Sequence, residues 1–343
     1  MKKTLAALIV SAVAASAANA AVIYDNEGTK VELNGSLRLI MEKTSVKKGS
    51  NKSETDSALR NAGSRLGVTV KHNLDGEYYA LGRYEARFDD TSSNDKFGGV
   101  YTKRAYVGLG SKATGDITFG RQLTIADDLS QANDYEYGFI PKGAYIPTSG
   151  TGVVRYDYKG IEGLQLSANY NFGQRHNDKG NLLKVGLKNA YGLGALYTAG
   201  DLDARFAYGH TNLETNATYK HRVDGFLASL GYKFGEFKLT GDFGYAHVKK
   251  DSDKTNKFYV SPGFAYQVTP ASQVYGNYLY ERVKGEADKE KTHAFLLGAD
   301  YKLHKQVVLF VEGKYATTKE YVNDSYDGKV KDRAIGVGMR VFF

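Results

Sequence analysis

The stretch of sequence that decides the fold is the last one, Ile335-Gly336-Val337-Gly338-Met339-Arg340-Val341-Phe342-Phe343. Apolar side chains stand at every second position, mostly with glycine or arginine between them. This period of two is that of a β-strand with one apolar and one polar face. The same alternation recurs throughout the chain after residue 20, where helical spacing is hard to find. The sequence therefore predicts an all-β protein.

The connections between the predicted strands are of two kinds. Tight Gly-rich turns such as Asp75-Gly76 and Gly235-Glu236 alternate with long polar connections. The long connections are expected at residues 45–57, 89–98, 174–180, 249–257, 285–291 and 320–329. Such alternation is typical of an up-and-down meander whose two ends face different environments. About sixteen strands fit the length, at roughly 20 residues for each strand with its connection, and no linker divides the chain.

The composition excludes several classes of protein. The chain has 343 residues, no Cys, no Trp and 24% charged residues, and its mean hydropathy is -0.44. Without Cys it has no disulfide framework, no thiolate metal site and no Cys nucleophile. A helical membrane protein would need repeated apolar runs of about 20 residues. The high content of Gly and Tyr argues against a disordered chain.

The number of strands decides which face of the sheet is wet. A barrel of about sixteen strands is too wide for side chains to fill, so its charged face must line a wet lumen and its apolar face must meet lipid. Closure removes the sheet edges, as lipid requires. Aromatic residues cluster near predicted strand ends, for example Tyr78, Phe88, Tyr232 and Phe234, as interfacial girdles would. The competing interpretation is aromatic packing in a soluble β-sandwich.

The first 20 residues predict a secretory signal peptide. Lys2 and Lys3 precede an apolar, Ala-rich run at residues 5–18, and Ala18-Asn19-Ala20 is a small-x-small cleavage site. Cleavage after Ala20 would leave residues 21–343 as a single barrel domain. Loss of the two lysines would lower the formal net charge from +8 to +6.

Several segments together resemble a known family. The first strand of that family is resembled by Ala21-Val22-Ile23-Tyr24-Asp25-Asn26-Glu27-Gly28, and the second by Gly63-Ser64-Arg65-Leu66-Gly67. The fourth strand is resembled by Tyr106-Val107-Gly108-Leu109-Gly110, and the fifth by Asp116-Ile117-Thr118-Phe119-Gly120-Arg121. The last strand is resembled by Gly336 to Phe343. The family is that of the general diffusion porins of the Gram-negative outer membrane, and the likeness is strongest to the major porins of the Pasteurellaceae.

The resemblance implies a sixteen-stranded antiparallel transmembrane β-barrel, usually a homotrimer, whose third long loop folds inward. It also implies passive diffusion of small hydrophilic solutes and ions rather than catalysis. Outer-membrane lipids and lipopolysaccharide are then expected partners. A last strand that ends on Phe343 resembles the signal by which outer-membrane barrels are recognised for assembly.

The inward loop is expected at residues 121–150, before a strand at residues 153–159. It is the longest connection and carries Tyr135, Tyr137, Phe139 and Tyr145, which is unusually aromatic for a solvated loop. Loops of about 30 residues without a role are uncommon, and packing inside the barrel explains the aromatic content. Taken singly, each of its acids could equally be a solvated turn residue. As a set they are candidates for the pore lining, Asp134 and Glu136 above all: Asp127, Asp128, Asp134 and Glu136.

The resemblance implies a ladder of basic residues on the wall opposite this loop. Arg65 matches one position directly. Lys103 matches a second if Gly108-Leu109 sets the register, and Arg104 is the alternative, because a shift of one residue reverses the face.

Two further ladder positions depart from the family pattern. One falls on Ser36, where Arg38 on the same face is the substitute, and the other falls near Ser149, with Arg155 farther along. Acids on one side and guanidinium groups on the other would create a transverse field across a narrow wet channel. Selection would then depend on size, charge and polarity.

Two other functions compete with general diffusion. A substrate-selective porin is the closest alternative. A barrel enzyme would need a nucleophile, a base and an orienting group together, whereas the seven His are scattered. A His within reach of both a Ser and a carboxylate would favour catalysis. No cofactor, metal or nucleic-acid partner is expected, because the His show no ligand spacing and the basic residues are spread along all strands.

Overall fold

The computed structural model of the chain describes residues 20–88, 97–177, 180–214 and 221–343. Apart from Ala20, the predicted signal peptide lies outside the described residues. The strands are β1 (Ala21–Asn26), β2 (Thr29–Lys48), β3 (Asn51–Asn61), β4 (Ser64–Asn73), β5 (Tyr78–Phe88), β6 (Val100–Ser111), β7 (Gly115–Leu123), β8 (Ser149–Ile161), β9 (Leu164–Asn171), β10 (Gln174–His176), β11 (Leu182–Ala199), β12 (Leu202–Leu213), β13 (His221–Phe234), β14 (Phe237–Lys250), β15 (Asp253–Thr269), β16 (Ser272–Lys284), β17 (Asp288–His304), β18 (Val307–Val322) and β19 (Ser325–Phe342).

These nineteen segments form the sixteen strands of the barrel, because three pairs of segments each occupy one strand position. β3 and β4 continue each other along β2, and β9 and β10 continue each other along β11. β1 and β19 likewise meet end to end along β2. Each pairing is antiparallel and the ring closes, so the expected closed sixteen-stranded barrel is confirmed. In the described part of the chain, no helix is long and apolar enough to span a bilayer.

The closure of the ring lies at the last residue. The backbone N–H of Gly35 donates to the carbonyl of Phe343 at 2.8 Å, and the N–H of Phe343 donates back to Gly35 at 3.1 Å. The Phe343 ring lies over Gly35, where an added Cβ would be 2.4 Å from it. Only glycine fits this seam.

The two faces of the wall divide as the alternation predicts. Outward positions carry exposed apolar side chains such as Leu66, Val107 and Leu297, while inward positions carry arginines, acids and small residues. Ile40 breaks the polar face of β2 and is fully buried inside the barrel. The apolar face is the one that lipid covers.

Several predicted long loops are in fact hairpins. β14 and β15 are joined by Asp251 and Ser252 alone, and β18 and β19 by Asn323 and Asp324. Asn323 and Asp324 both have positive φ, as a tight hairpin turn requires. The strands continue beyond the apolar band because water can solvate polar side chains on both faces. Part of the connection predicted at residues 89–98 lies outside the described residues.

The one long connection within the described ranges is the predicted inward loop. It spans residues 124–148 between β7 and β8, a little shorter than expected, and contains two 3-10 turns, Ile125–Leu129 and Lys142–Ala144. It lies inside the barrel, and we call it the inner loop.

A loop clamped inside the barrel, the candidate pore constriction

The base of the inner loop is held by apolar packing. Ile125, Leu129 and Tyr145 belong to a buried cluster whose wall members include Leu227 and Tyr259. The edge of the Tyr145 ring meets Tyr259 with 4.9 Å between centroids. Burial of such side chains stabilises by about 1.5–3 kcal/mol each. Water is thereby excluded from one side of the barrel.

Glycines on the wall let the loop backbone approach closely. A Cβ added to Gly225 would lie 2.2 Å from the carbonyl oxygen of Tyr145, and one added to Gly209 would lie 2.5 Å from Ile146. Any larger residue at Gly225 would therefore push the loop into the lumen.

The tip of the loop rests on a second apolar cluster. Tyr137 packs with Ile40, Tyr275 and Phe310, and the Tyr135 ring stacks on Phe310 with 4.7 Å between centroids. This contact accounts for Ile40, the apolar residue on the polar face of β2.

A buried carboxylate on the wall binds the loop backbone at its tip. Glu312 accepts the N–H groups of Tyr135, Glu136 and Tyr137 at 2.7, 2.8 and 2.6 Å, and the hydroxyl of Tyr275 at 2.9 Å. Successive N–H groups aimed at one anion form a concave anion site. Charge-assisted bonds of this kind are about twice as strong as neutral ones. The wall thus determines the position of the loop tip.

Asp242 is a second buried carboxylate on the wall that binds the loop backbone, nearer the base of the loop. It accepts the N–H groups of Gln131 and Ala132 at 3.0 and 3.2 Å, while Arg205 donates to the carbonyl of Asp128 at 2.7 Å. The inner loop is therefore anchored along its length on the wall formed by β12 to β18.

The predicted acids of the loop occupy different environments. The Glu136 carboxylate lies 3.1 Å from Arg38 and 2.8 Å from Arg60, and is 15% exposed. Asp128 pairs with Arg155 at 3.1 Å. Glu136, one of the two foremost candidates for the pore lining, is therefore largely enclosed by two arginines.

Asp134 and Asp127 are the loop acids that reach the lumen. Asp134 is exposed to lumen water, although it lies deep within the barrel. This depth, together with repulsion from Glu312, raises the pKa of Asp134 to about 6. Asp127 is 37% exposed and lies 3.8 Å from Lys142. Of the four predicted loop acids, these two have the more exposed carboxylates.

An arginine cluster lines the wall that faces the tip, and one of its members, Arg38, contacts the tip directly. The charged neighbours of Arg65 are Arg87, Arg340 and Arg38, together with one acid, Glu85. Within the part of the chain that the structure describes, Arg65 makes no ion pair. Arg340 on the neighbouring strand β19 donates to the hydroxyl of Ser36 at 3.1 Å. Arg340 therefore supplies a cation at the position of the basic ladder that Ser36 occupies.

One buried acid organises part of this cluster. Glu85 is 1% exposed and receives Arg87 at 2.7 Å, Arg83 at 3.0 Å and Arg104 at 3.6 Å. Arg104 stands directly opposite Glu85, whereas Lys103 is the additional residue of a β-bulge. Of the two alternatives, the structure brings Arg104 into the cluster.

Arg155 lies apart from the arginine cluster. It is 11% exposed and joins Asp157 on its own strand to Asp128 at the base of the loop, at 2.9 and 3.1 Å. Its contacts hold the loop, and they leave it little surface toward the lumen.

Sequence reasoning missed the residues that clamp the loop. Arg60, Asp242 and Glu312 were not singled out, although each stands on the polar face of an alternating strand. Alternation predicts that such residues point inward. It contains no signal for which distant backbone or side chain each one meets.

The comparisons with known proteins agree with this geometry. The model of the family described as "Gram-negative porin" matches residues 4–321. The chain belongs to the Gram-negative porin family. A protein named "Major outer membrane protein" from Pasteurella multocida (strain Pm70) is 30% identical over 371 aligned residues, which cover the whole of both chains. The chain is thus a porin of the Gram-negative outer membrane, as the resemblance implied.

Solved structures show the same barrel. The trimer form of OmpT from Vibrio cholerae has a TM-score of 0.70 at 18% identity, covering 92% of this porin and 100% of that chain. An anion-selective porin from Comamonas acidovorans has a TM-score of 0.68 at 19% identity, with the same two coverages. OmpF of Salmonella typhi, in complex with daunomycin, has a TM-score of 0.66 at 17% identity, covering 94% and 100%.

Proposed function

We propose that this porin passes small hydrophilic solutes by diffusion through a constriction between the inner loop and the arginine cluster, with a preference for anions. The observation that carries the preference is the local charge. Arg38, Arg65, Arg83, Arg87, Arg104 and Arg340 stand together, and among the described residues the acids in ion pairs with them are Glu85 and Glu136. Charged walls in low-dielectric surroundings focus such a field.

Arg65 is the residue that tests this proposal. At about 8 Å and an effective dielectric of 20–80, one charge changes the energy of an ion by roughly 0.5–2 kcal/mol. That corresponds to about two- to thirty-fold in the permeability ratio. Arg65→Ser should therefore shift the reversal potential in a salt gradient toward cations and increase the conductance.

Arg222→Ser is the matched control. Arg222 is exposed, on the outer face of β13, so the same loss of charge should leave the reversal potential nearly unchanged. Equal shifts for both variants would show that net charge, not the constriction, sets the preference. An unchanged potential for Arg65→Ser alone would remove Arg65 from the ion path.

Transport rather than catalysis is the activity that the His environments favour. His210 lies 2.6 Å from Asp224, but its other nitrogen faces Asn212 at 3.2 Å. Within the described ranges, no His has both a Ser and a carboxylate as hydrogen-bond partners. A hydrolase assay on the purified barrel with ester and peptide substrates would reveal any activity that this geometry does not suggest.

We further propose that the mature protein begins at Ala21 and assembles as a homotrimer. Sequencing of the purified protein from its amino terminus should give Ala-Val-Ile-Tyr. Chemical cross-linking in mild detergent should give a trimer band that boiling abolishes. Monomers at all protein concentrations would contradict the trimer, and a start at Met1 would contradict the cleavage.

A further inference from the structure

A third carboxylate of the wall, distinct from Glu312 and Asp242, bonds to the tip of the inner loop. Glu42 stands on the inner face of β2 and accepts two parallel hydrogen bonds from Arg60 of β3, at 2.7 and 2.8 Å. The same carboxylate accepts the hydroxyl of Tyr137 at 2.7 Å. Glu42 therefore joins two strands of the wall to a side chain of the loop tip.

Arg60 extends this contact to a second residue of the tip. Its Nη2 lies 2.8 Å from one oxygen of Glu136, whose other oxygen lies 3.1 Å from Arg38. Cations and carboxylates thus alternate, and the adjacent loop residues 136 and 137 are both held on this part of the wall. We call these five residues the tip network: Arg38, Glu42, Arg60, Glu136 and Tyr137.

The tip network is shielded from the water of the lumen. The side chains of Glu42, Arg60 and Glu136 are 9%, 11% and 15% exposed. Hydrogen bonds between charged groups are stronger in such surroundings, and removal of one partner leaves the other buried without it. The position of each member therefore depends on the others.

A glycine on β19 makes room for the Tyr137 hydroxyl. Gly336 is directly opposite Glu42, and a Cβ added to it would lie 2.6 Å from the hydroxyl oxygen of Tyr137. The wall thus leaves a narrow space for this hydroxyl beside the Glu42 carboxylate. Small displacements of the tip would break the bond between the two groups.

We propose that Glu42 is a positioning residue for the pore. Through Arg60 and Tyr137 it holds Glu136 and the tip against the wall, and it thereby sets the width of the lumen at the tip. With 9% of its side chain exposed, Glu42 itself offers almost no surface to a passing ion. The inference rests on the proposed passage of solutes between the inner loop and the opposite wall.

Two other roles for Glu42 predict different results. If Glu42 acted on ions by its charge, a variant that keeps every charge would leave the pore unchanged. If Glu42 only stabilised the barrel, its loss would loosen strands around the wall rather than the tip. Tyr137→Phe separates these roles, because it removes one hydroxyl and keeps both the charges and the ring that packs with Ile40 and Phe310.

Amide hydrogen exchange, followed by mass spectrometry on the full mature barrel in mild detergent, measures the position of the tip without any ion flux. The N–H groups of residues 135–137 donate to Glu312 while the tip is in place, so they exchange when it leaves. A hydrogen bond to a charged group corresponds to roughly ten- to a hundred-fold in the displaced population. Tyr137→Phe and Glu42→Gln should each accelerate exchange at residues 133–138 by about that factor.

The double variant tests the link between the two residues. Once Glu42 has lost its charge, removal of the Tyr137 hydroxyl deletes little more. Glu42→Gln combined with Tyr137→Phe should therefore exchange at the tip as fast as Glu42→Gln alone.

Tyr208→Phe is the matched control for the loss of a hydroxyl. Tyr208 donates to the carboxylate of Asp224 at 3.1 Å, on the outer face of β12 and away from the loop. Its replacement removes the same kind of bond as Tyr137→Phe does. Exchange at the tip and the properties of the pore should equal those of the parent.

The pore is measured on the same variants. Swelling of proteoliposomes in sugars of increasing size gives the exclusion limit, and single-channel recording gives the conductance and its fluctuations. Tyr137→Phe and Glu42→Gln should admit larger sugars than the parent and fluctuate between conductance levels, because their tips leave the wall more often.

Unchanged exchange at the tip of Tyr137→Phe would overturn the proposal, as would additive effects in the double variant. Faster exchange in strands all around the Glu42→Gln barrel would assign Glu42 to barrel stability instead. Faster exchange at the tip with an unaltered exclusion limit and steady conductance would show that the tip does not set the pore. A failure of the proposed ion preference would appear in the reversal potential of the parent and leave exchange at the tip unaltered.

Discussion

Glu136 and Asp134 are separated by one residue, yet they differ in what they touch. Glu136 holds Arg38 and Arg60, at 3.1 and 2.8 Å, whereas Asp134 is exposed to the lumen. Glu136→Gln should therefore lower the free energy of unfolding by about 1–3 kcal/mol, because it removes the carboxylate that Arg38 pairs with and that Arg60 shares with Glu42. Asp134→Asn, the matched control, should not lower it and should raise it at neutral pH, because the raised pKa of Asp134 means that its negative charge is unfavourable in the fold.

Thermal unfolding followed by far-ultraviolet circular dichroism compares the two variants. Equal midpoints for Glu136→Gln and the parent would show that the ion pairs contribute nothing to stability. A large loss for Asp134→Asn would show that its carboxylate is bound to the protein and not exposed to water.

Asp134 also predicts a dependence of ion selectivity on pH. Its pKa is raised to about 6, so the carboxylate is charged at neutral pH and protonated as the pH falls below 6. Loss of a negative charge at the loop tip makes the constriction more positive. Anion permeability relative to cation permeability should thus rise between about pH 7.5 and 5.

Reversal potentials measured across that pH range check the titration. Asp134→Asn should behave at every pH as the parent does at the acidic end. If the variant keeps the same pH dependence, another group carries it.

The inner loop is an element whose position depends on wall glycines as much as on its own sequence. Gly225→Ala would bring a Cβ to within 2.2 Å of the Tyr145 carbonyl oxygen, so the base of the loop has to move into the lumen. Single-channel conductance should fall or fluctuate between levels. Gly241→Ala is the control, because nothing lies within 4 Å of the added atom. Conductance that is identical for both variants would show that the loop does not restrict the pore.

How far each element could be predicted depends on the range of the interactions that form it. Alternation is local, and together with the number of strands it correctly indicated the closed barrel. The loop inside it was implied by the family resemblance and by the aromatic content of residues 121–150. The contact of Glu136 with Arg38 and the capture of the loop backbone by Glu312 join segments that are far apart in sequence, and no local pattern encodes them. Ile40 was a visible exception to the alternation, and its cause was the equally distant Tyr137.

The whole molecule depends on the seam where its last residue meets its first long strand. Removal of Phe343 would leave the N–H and carbonyl groups of Gly35 without partners at the seam. An unsatisfied backbone group in lipid costs several kcal/mol. The chain that lacks residue 343 should therefore fold poorly both in cells and when refolded from urea into detergent. Its yield of heat-modifiable barrel on a gel is the measurement.

Phe343→Leu distinguishes two roles of this residue, closure of the barrel by its backbone and recognition of its aromatic ring by the assembly machinery. It keeps both backbone hydrogen bonds with Gly35 and changes only the ring that lies over that glycine. We expect normal refolding in detergent, since the backbone closure is intact, and a lower yield in the outer membrane of cells if the aromatic end is the signal. Equal yields of this variant and the parent in cells would contradict the signal. Poor refolding in detergent would instead assign the ring a part in closing the barrel, through its packing on Gly35.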